Sequence, residues 1–463
     1  MDKFFKISER GSTVRTEILG GLTTFFAMAY IILVNPGILC VDLGDGFFPA
    51  IPGEYFIGVA VATCLSAALG TLLTAFLANV PFAQAPGMGL NAFFTYTVCL
   101  TFGFTWRQAL SIVLISGVIF FIIAISPVRS KIISSIPASL KSAIGAGIGL
   151  FIAFIGFLNA GIVNFGAGVP ALSSLKGGTA LLAVIGLILI AIFMVLKVKG
   201  AIILGMIATA IVGIIPSLFG SDFFGVFSTA DVAYNLNAIG DLKNVAFQFD
   251  FAGLFEDGLA KSILPVITAV ISFALVDCFD TVGTLIGTAT NAGMLDKKGN
   301  FPGGDKALIA DAIATCSGSC LGTSTVTTFV ESSAGISSGA KTGLSSLVVA
   351  VLFLFSVLLT PFFKIFSNNT WFLYGITAPA LIIVGVLMIK SAAKIDWSDI
   401  EEAIPCFLTI AGMPFFYSIS DGIGFGFISY VILKLVRGKA KQVPVLMYII
   451  AALFVAMYVL KNI

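Results

Sequence analysis

Histidine is absent from the 463 residues, and the seven cysteines (Cys40, Cys64, Cys99, Cys278, Cys316, Cys320, Cys406) are scattered, with only Cys316 and Cys320 at a suggestive spacing. A chain so poor in imidazole and paired thiols is not expected to hold a metal, a haem or another cofactor. The same lack removes the side chain that usually titrates near neutral pH, so any proton moved through this protein must ride on Asp, Glu, Tyr or water. Charge is scarce as well, at 10% of residues, against roughly 25% in soluble domains. No Lys/Arg block occurs and the formal net charge is +2, which gives no support for nucleic-acid binding. The segment Met1 to Glu17 has neither the apolar core nor the cleavage site of a signal peptide, so the first hydrophobic span is expected to insert and stay.

What fills the chain is apolar: 58% of residues are hydrophobic and the mean hydropathy is +1.09. The class is an all-α polytopic membrane protein, one integral membrane domain over 1–463. Lys3, Lys6, Arg10 and Arg15 precede the first span, about Gly20 to Val34, which Asn35-Pro36-Gly37 is expected to end. The positive-inside rule puts this N-terminus in the cytoplasm of a multi-pass cell-membrane protein. Further spans are expected near 56–77, 109–125, 144–157, 180–196, 201–219, 263–290, 307–320, 344–362 and 378–389, followed by two short apolar pieces, 404–418 and 422–435, split at Ser420-Asp421-Gly422. Gly145, Gly147 and Gly149 suit close helix contact. An extra hydrophobic segment, 443–460, either spans or lies at the interface.

Two segments break the apolar pattern. In Pro81-Phe82-Ala83-Gln84-Ala85-Pro86-Gly87-Met88-Gly89-Leu90-Asn91, Pro86 forbids a continuous helix, so an extended stretch leading into a half-helix near Gly89 is expected. Gly322-Thr323-Ser324-Thr325-Val326-Thr327-Thr328-Phe329-Val330-Glu331 is too polar for lipid, and its Thr/Val run favours an extended backbone before a short helix. Asn91 and Glu331 stand about 240 positions apart, as do the first and eighth spans. That spacing is the mark of two inverted seven-span repeats, 18–220 and 262–437, with the broken spans three and ten meeting at the midplane and bringing Asn91 and Glu331 close.

The costly groups are the buried polar ones. Asp277 and Asp280 lie three apart on one helix face, inside a run otherwise fit for lipid, with Thr281 and Thr284 a turn further along. A charged Asp at the bilayer centre costs about 2.5–3.5 kcal/mol on insertion scales, so each must face a polar interior. A plainer role for either is a structural hydrogen bond to a broken helix. Glu331 falls where a half-helix starts, a place that favours an anion, and simple capping is its plainer role; the same holds for Asn91. Phe329, Phe93, Phe25, Phe26 and Tyr30 neighbour these groups, yet in a chain with 44 phenylalanines ring packing is the commoner use. Asp311, near the start of span nine, is expected to make a structural or gating salt bridge.

At this point the motifs resemble a family. Gly20-Gly21-Leu22-Thr23-Thr24-Phe25, Ala85-Pro86-Gly87-Met88-Gly89-Leu90-Asn91-Ala92-Phe93-Phe94, Phe279-Asp280-Thr281-Val282-Gly283-Thr284-Leu285, Val330-Glu331-Ser332-Ser333-Ala334-Gly335 and Thr377-Ala378-Pro379-Ala380-Leu381 are similar to those of the AzgA-like purine permeases of the nucleobase-cation symporter group. The resemblance implies the uracil-permease fold: fourteen transmembrane segments, seven plus seven inverted, with spans one to four and eight to eleven as core and the rest as gate. It also implies proton-coupled uptake of guanine, hypoxanthine or adenine, with Asn91, Asp277 and Glu331 at functional positions and Asp280 as a second carboxylate.

On that footing Glu331 and Asp277 are expected to accept purine N–H hydrogens, and Asn91 to serve the remaining edge. Phe329 or Phe93 would stack on the base, and protonation of Asp280, Glu331 or Asp277 would couple transport. The partners are therefore a purine nucleobase, a proton and the lipid bilayer, with a homodimer left open. An anion transporter on the same fold is the alternative, disfavoured by carboxylates at the site and no Lys or Arg deep in a span. An intramembrane enzyme using the paired aspartates is a weaker one, and no enzyme activity is expected.

Overall fold

The computed structural model describes residues 2–40, 51–126, 136–165, 168–176, 178–218, 224, 235–256, 258–291, 294, 301–363 and 369–461. By the positive-inside rule Asp42 and Asp45 are expected in an external loop and Arg129, Lys131, Lys297 and Lys298 inside; all six lie outside the described residues. The described chain is helical: α1 (Val14–Met28), α2 (Ile31–Leu39), α3 (Phe56–Leu73), α4 (Met88–Ala92), α5 (Trp106–Ile125), α6 (Ala138–Asn159), α7 (Gly178–Val195) and α8 (Ala201–Leu218) form the first part. Then come α9 (Leu259–Asn291), α10 (Gly304–Leu321), α11 (Ser332–Ser337), α12 (Gly343–Ser356), α13 (Thr370–Met388), α14 (Ile400–Phe415), α15 (Ile419–Val436) and α16 (Val445–Lys461). Among the described residues nine helical segments are long and apolar enough to cross a membrane, with shorter apolar helices at Ala201–Pro216 and Val445–Val459. The protein is a polytopic membrane protein.

Two groups of helices pack more extensively within themselves than with each other. In one, α12 lies on α1 and α3, and α10 lies on α3 and α5; in the other, α6 lies on α13 and α14, α7 on α8 and α13, and α14 on α15. Small residues allow the second group its closeness: a Cβ added at Gly147 would stand 2.7 Å from Met413 Sδ, and one at Gly149 3.0 Å from the Gly385 carbonyl. In lipid, where apolar side chains gain little by leaving the solvent, such backbone contact is what holds helices together.

The first span departs from expectation. Helix does not stop at Asn35-Pro36-Gly37 but breaks earlier, between α1 and α2, and α2 runs through Pro36 to Leu39. The Asn35 amide explains it: Nδ2 donates to Thr63 Oγ1 at 2.7 Å and to Thr323 Oγ1 at 2.8 Å, so this turn is fixed inside the bundle. There a proline's missing hydrogen bond is tolerated because neighbours hold the backbone. The late break also falls earlier than expected. Ser418 caps α15 by accepting from Asp421 N, and Asp421 sits in that helix's first turn.

At one end of the second group Glu401, in the first turn of α14, meets Lys434 Nζ (3.1 Å), Arg437 Nε (2.7 Å) and Lys439 Nζ (2.8 Å), while Lys434 also reaches Glu402 at 3.0 Å. Hydrogen bonds from Lys439, Arg437 and Lys434 hold the Glu401 carboxyl down at about 2, below its ordinary 4.5. A depressed carboxylate stabilises the fold above its ordinary value, and that contribution is lost as pH falls through the lower one. The unfolding-temperature advantage of the native protein over Glu401→Gln is therefore expected to be constant above about pH 5 and to shrink steadily toward pH 2. Melting curves of the two proteins in detergent across that range check this; a difference independent of pH would remove the assignment.

Candidate functional site

Both broken segments are extended where the sequence places their interruptions. β1 (Gln84–Pro86) pairs antiparallel with β2 (Val326–Thr328), Gln84 opposite Thr328, Ala85 opposite Thr327 and Pro86 opposite Val326. Gly87 N donates to the Thr325 carbonyl and Phe329 N to the Ala83 carbonyl, lengthening the ribbon at both ends. Each segment then turns into helix, α4 after β1 and α11 after β2. Side chains anchor the ribbon: Thr71 Oγ1 bonds both Gln84 N and Gln84 O, and Ser346 Oγ donates to the Val80 and Phe82 carbonyls. An isolated two-stranded ribbon is marginal in water. Here it is buried in protein, a setting in which extended backbone is tolerated at membrane depth.

Asn91 and Glu331, expected close together, stand instead at opposite ends of the ribbon, because its strands pair antiparallel, and each has its own partner. Asn91 is fully buried inside α4, with Oδ1 accepting from Ser324 Oγ and Nδ2 without a partner. Glu331 occupies the N-cap position of α11 but makes no capping bond; its Oε1 accepts from the Tyr30 hydroxyl at 2.5 Å. Phe329 is buried beside it in sequence, and Phe93 is fully buried with its ring edge-on to Phe273, centroids 4.6 Å apart.

The two aspartates of α9 have different surroundings. Asp277 is 1% exposed, and Oδ2 accepts from Thr315 Oγ1 at 2.8 Å while Oδ1 receives no hydrogen. Asp280, one turn on, is half-buried, accepts no hydrogen bond among the described residues and lies within electrostatic reach of Glu331. Thr281 ties this helix to the ribbon through Thr327 Oγ1 at 2.8 Å.

Asp311 departs from expectation. It is fully buried on α10 and makes no salt bridge among the described residues; it accepts from Thr281 Oγ1 at 2.9 Å, Thr328 Oγ1 at 3.1 Å and Gln84 Nε2 at 3.1 Å. The reason is depth, since α10 passes directly against β2 and the hydroxyl-rich ribbon supplies the partners that a distant cation would otherwise have to provide. Tyr30, Gln84, Ser324 and Thr315 also belong to this cluster and are not assigned to it from sequence. For Gln84 the signal is present, an amide inside a proline-broken apolar run; Tyr30 is masked by the aromatic richness of its span. Gln84 Oε1 and Thr325 Oγ1 are further buried atoms without partners. Among the described residues no group of His, Cys, Asp and Glu has the arrangement of a metal site, and all seven cysteines are free thiols.

A sequence profile described as Permease family matches residues 15–425. The chain belongs to the permease family. The permease is 39% identical over 460 residues to the guanine/hypoxanthine permease PbuG of Bacillus subtilis, covering 99% of each chain. It is 37% identical over 458 residues to the adenine permease AdeP of Escherichia coli, covering 98% of its own length and 95% of that protein. These relatives agree with the AzgA-like purine permease resemblance of the motifs. In fold, the permease is similar to the transmembrane domain of a cyanobacterial bicarbonate transporter, BicA, with a TM-score of 0.62 at 15% identity over 88% of this chain and 97% of that one. Membership of this family makes the protein a transporter and not an enzyme.

Proposed function

We propose that this permease carries purine nucleobases, guanine, hypoxanthine or adenine, into the cell in symport with protons. The observation that carries the proposal is a set of buried polar atoms left without partners on the ribbon and the half-helix that follows it. Asn91 Nδ2 offers a donor, Gln84 Oε1 an acceptor and Thr325 Oγ1 either, with the Glu331 carboxylate at the ribbon's far end. Buried polar groups are normally satisfied, and leaving each unpaired costs about 1–3 kcal/mol, so such a set points to a ligand that supplies the complement. A purine edge alternates N–H donors with ring and carbonyl acceptors, and its flat body suits the neighbouring Phe329 or Phe93. The relatives' names favour the same class.

In this arrangement Glu331 and Asp277 accept purine hydrogens, Asn91 donates to the opposite edge, and protonation of one of the buried carboxylates Asp280, Glu331 or Asp277 couples transport. Two inverted seven-span repeats with a cytoplasmic N-terminus, a core carrying the ribbon and a gate built around α6 and α13 give alternating access by movement of one against the other. The bilayer is the solvent of both, and a homodimer through the gate is compatible with it. The fold alone also admits anions, but an anion calls for cationic partners, and the salt bridges among the described residues lie outside this cluster.

The test is uptake of radiolabelled hypoxanthine and adenine in cells lacking their own purine transporters, challenged with unlabelled adenine, guanine, hypoxanthine, xanthine, uracil and bicarbonate. Saturable uptake displaced by purines and not by bicarbonate is expected; bicarbonate transport without any purine effect would overturn the proposal.

A further inference from the structure

One short loop reaches from the second helix group across to the first. Residues 196–200 join α7 to α8, and from this loop Lys199 Nζ donates to Thr23 Oγ1 of α1 at 3.3 Å and to Ser338 Oγ, at the end of α11, at 3.4 Å. The next residue, Gly200, is buried with φ at +72°, and a Cβ there would stand 2.9 Å from the Phe26 carbonyl oxygen of α1. The loop is thus seated on α1 by its backbone as well as by the lysine. It lies toward the N-terminal segment, since Ser12 Oγ donates to the carbonyl of Gly339, the neighbour of Ser338.

The contact has the chemistry of a catch that can open. Each hydroxyl gives its own hydrogen to its own segment, Thr23 to the Leu19 carbonyl at 2.8 Å and Ser338 to the Ala334 carbonyl at 3.0 Å, so toward Lys199 each can only accept. Among the described residues no carboxylate pairs with Lys199. The residue is exposed, so water can replace both hydroxyls at little cost when the loop lifts. Glu401 is the contrasting case: three cations hold it inside the second group, a contact made to be kept.

What the loop rests on leads to the candidate site. α11 lies on α1 with backbone against backbone, for a Cβ added at Gly335 would run into the Gly20 carbonyl and the Thr24 hydroxyl. Tyr30, just beyond α1, donates to Glu331 at the N-cap of α11. The α1–α11 unit therefore carries the site's carboxylate at one end of α11 and the lysine at the other, about 10 Å apart at the helical rise of 1.5 Å per residue.

We propose that the α7–α8 loop is a latch between the two helix groups, closed here by Lys199 on Thr23 and Ser338, and that it must lift for a base to leave toward the N-terminal side. The second clause rests on the purine transport proposed above; the first does not. Movement of one group against the other separates Lys199 from its hydroxyls, so the latch favours the closed arrangement and its loss frees the open one.

Hydrogen exchange of the full-length protein in lipid nanodiscs, read by mass spectrometry over 196–206 and 332–340, tests the latch. Lys199→Met keeps the stem and removes the ammonium; it is expected to raise exchange in both segments by about threefold to tenfold, the worth of a hydrogen bond. Lys199→Arg, which keeps charge and donors, is expected to stay near native. Exchange in Lys199→Met equal to native overturns the latch. Hypoxanthine and adenine uptake in proteoliposomes tests the lifting. Lys199→Cys combined with Ser338→Cys, bridged by a bifunctional methanethiosulfonate, is expected to lose uptake and to regain it on reduction, while each single variant given the same reagent keeps it. A bridged protein that takes up base as fast as the treated single variants overturns the gating role. Native protein that carries neither base fails the proposed function instead, and the exchange result still decides the latch.

Discussion

Glu331→Gln is expected to lower apparent affinity for hypoxanthine or adenine by about tenfold to a hundredfold. A hydrogen bond to a charged acceptor is worth about 1.5–3 kcal/mol, and each 1.4 kcal/mol is a factor of ten. Gln keeps the volume of Glu331 and still offers an oxygen to the Tyr30 hydroxyl, which now lies 2.5 Å from Oε1, so the fold at α11 is retained. In the proposed arrangement, what is lost is the second anionic acceptor for purine N–H groups, and with it the electrostatic attraction between Glu331 and a hydrogen-rich edge. Tyr30→Phe is a milder companion: the carboxylate stays but is no longer fixed, and a loss of about threefold to tenfold is expected. Uptake measured against substrate concentration at fixed external pH, with size-exclusion profiles to confirm folding, checks both. Glu331→Gln with native affinity and native proton dependence would remove Glu331 from the site.

The ribbon and the helices were legible in the sequence for definite reasons, and the gaps have reasons too. Pro81 and Pro86 with Gly87 and Gly89 disfavour a continuous helix, and Thr325-Val326-Thr327-Thr328 is too polar to face lipid, so extended strands at both broken spans are legible from residue chemistry. Lengths of the apolar runs fixed most spans to within a few residues. The path of α2 through Pro36 was not legible, because what holds it is the Asn35 amide bonding Thr63 and Thr323, residues 28 and 288 positions away. The surroundings of Asp311 are hidden in the sequence for the same reason. Its partners Gln84, Thr281 and Thr328 come from three separate segments, 227, 30 and 17 positions off, and only the fold brings hydroxyls where a cation had been expected. Glu331 and Asn91 are recognisable singly as polar groups in broken spans. That they flank the ribbon from opposite ends depends on the antiparallel register, which composition does not encode.

Gly385→Leu is expected to have a large structural effect in the second helical group. A Cβ at position 385 would stand 2.5 Å from the Gly149 carbonyl oxygen and 2.6 Å from Ala153 Cβ, and a Cβ at Gly149 would in turn meet Met388 Cβ at 2.5 Å. Backbone atoms on α6 cannot step aside as a flexible side chain could, so α6 and α13 must separate along their contact. Overpacking a close-fitted site costs about 1–3 kcal/mol and sometimes more, and a branched side chain falls at the upper end. Since helices in lipid associate through packing, separation leaves little to hold this pair, and α14, which also lies on α6, loses its seat. Gly385→Ala should show a smaller loss in the same direction. Gly145→Ala is the control on α6, because the added Cβ would approach only the Ser391 side chain, with its hydroxyl 3.3 Å away. Monodisperse yield and unfolding temperature of the three variants in detergent decide the matter: Gly385→Leu as stable as Gly145→Ala would mean that the α6–α13 contact is not what holds this group together.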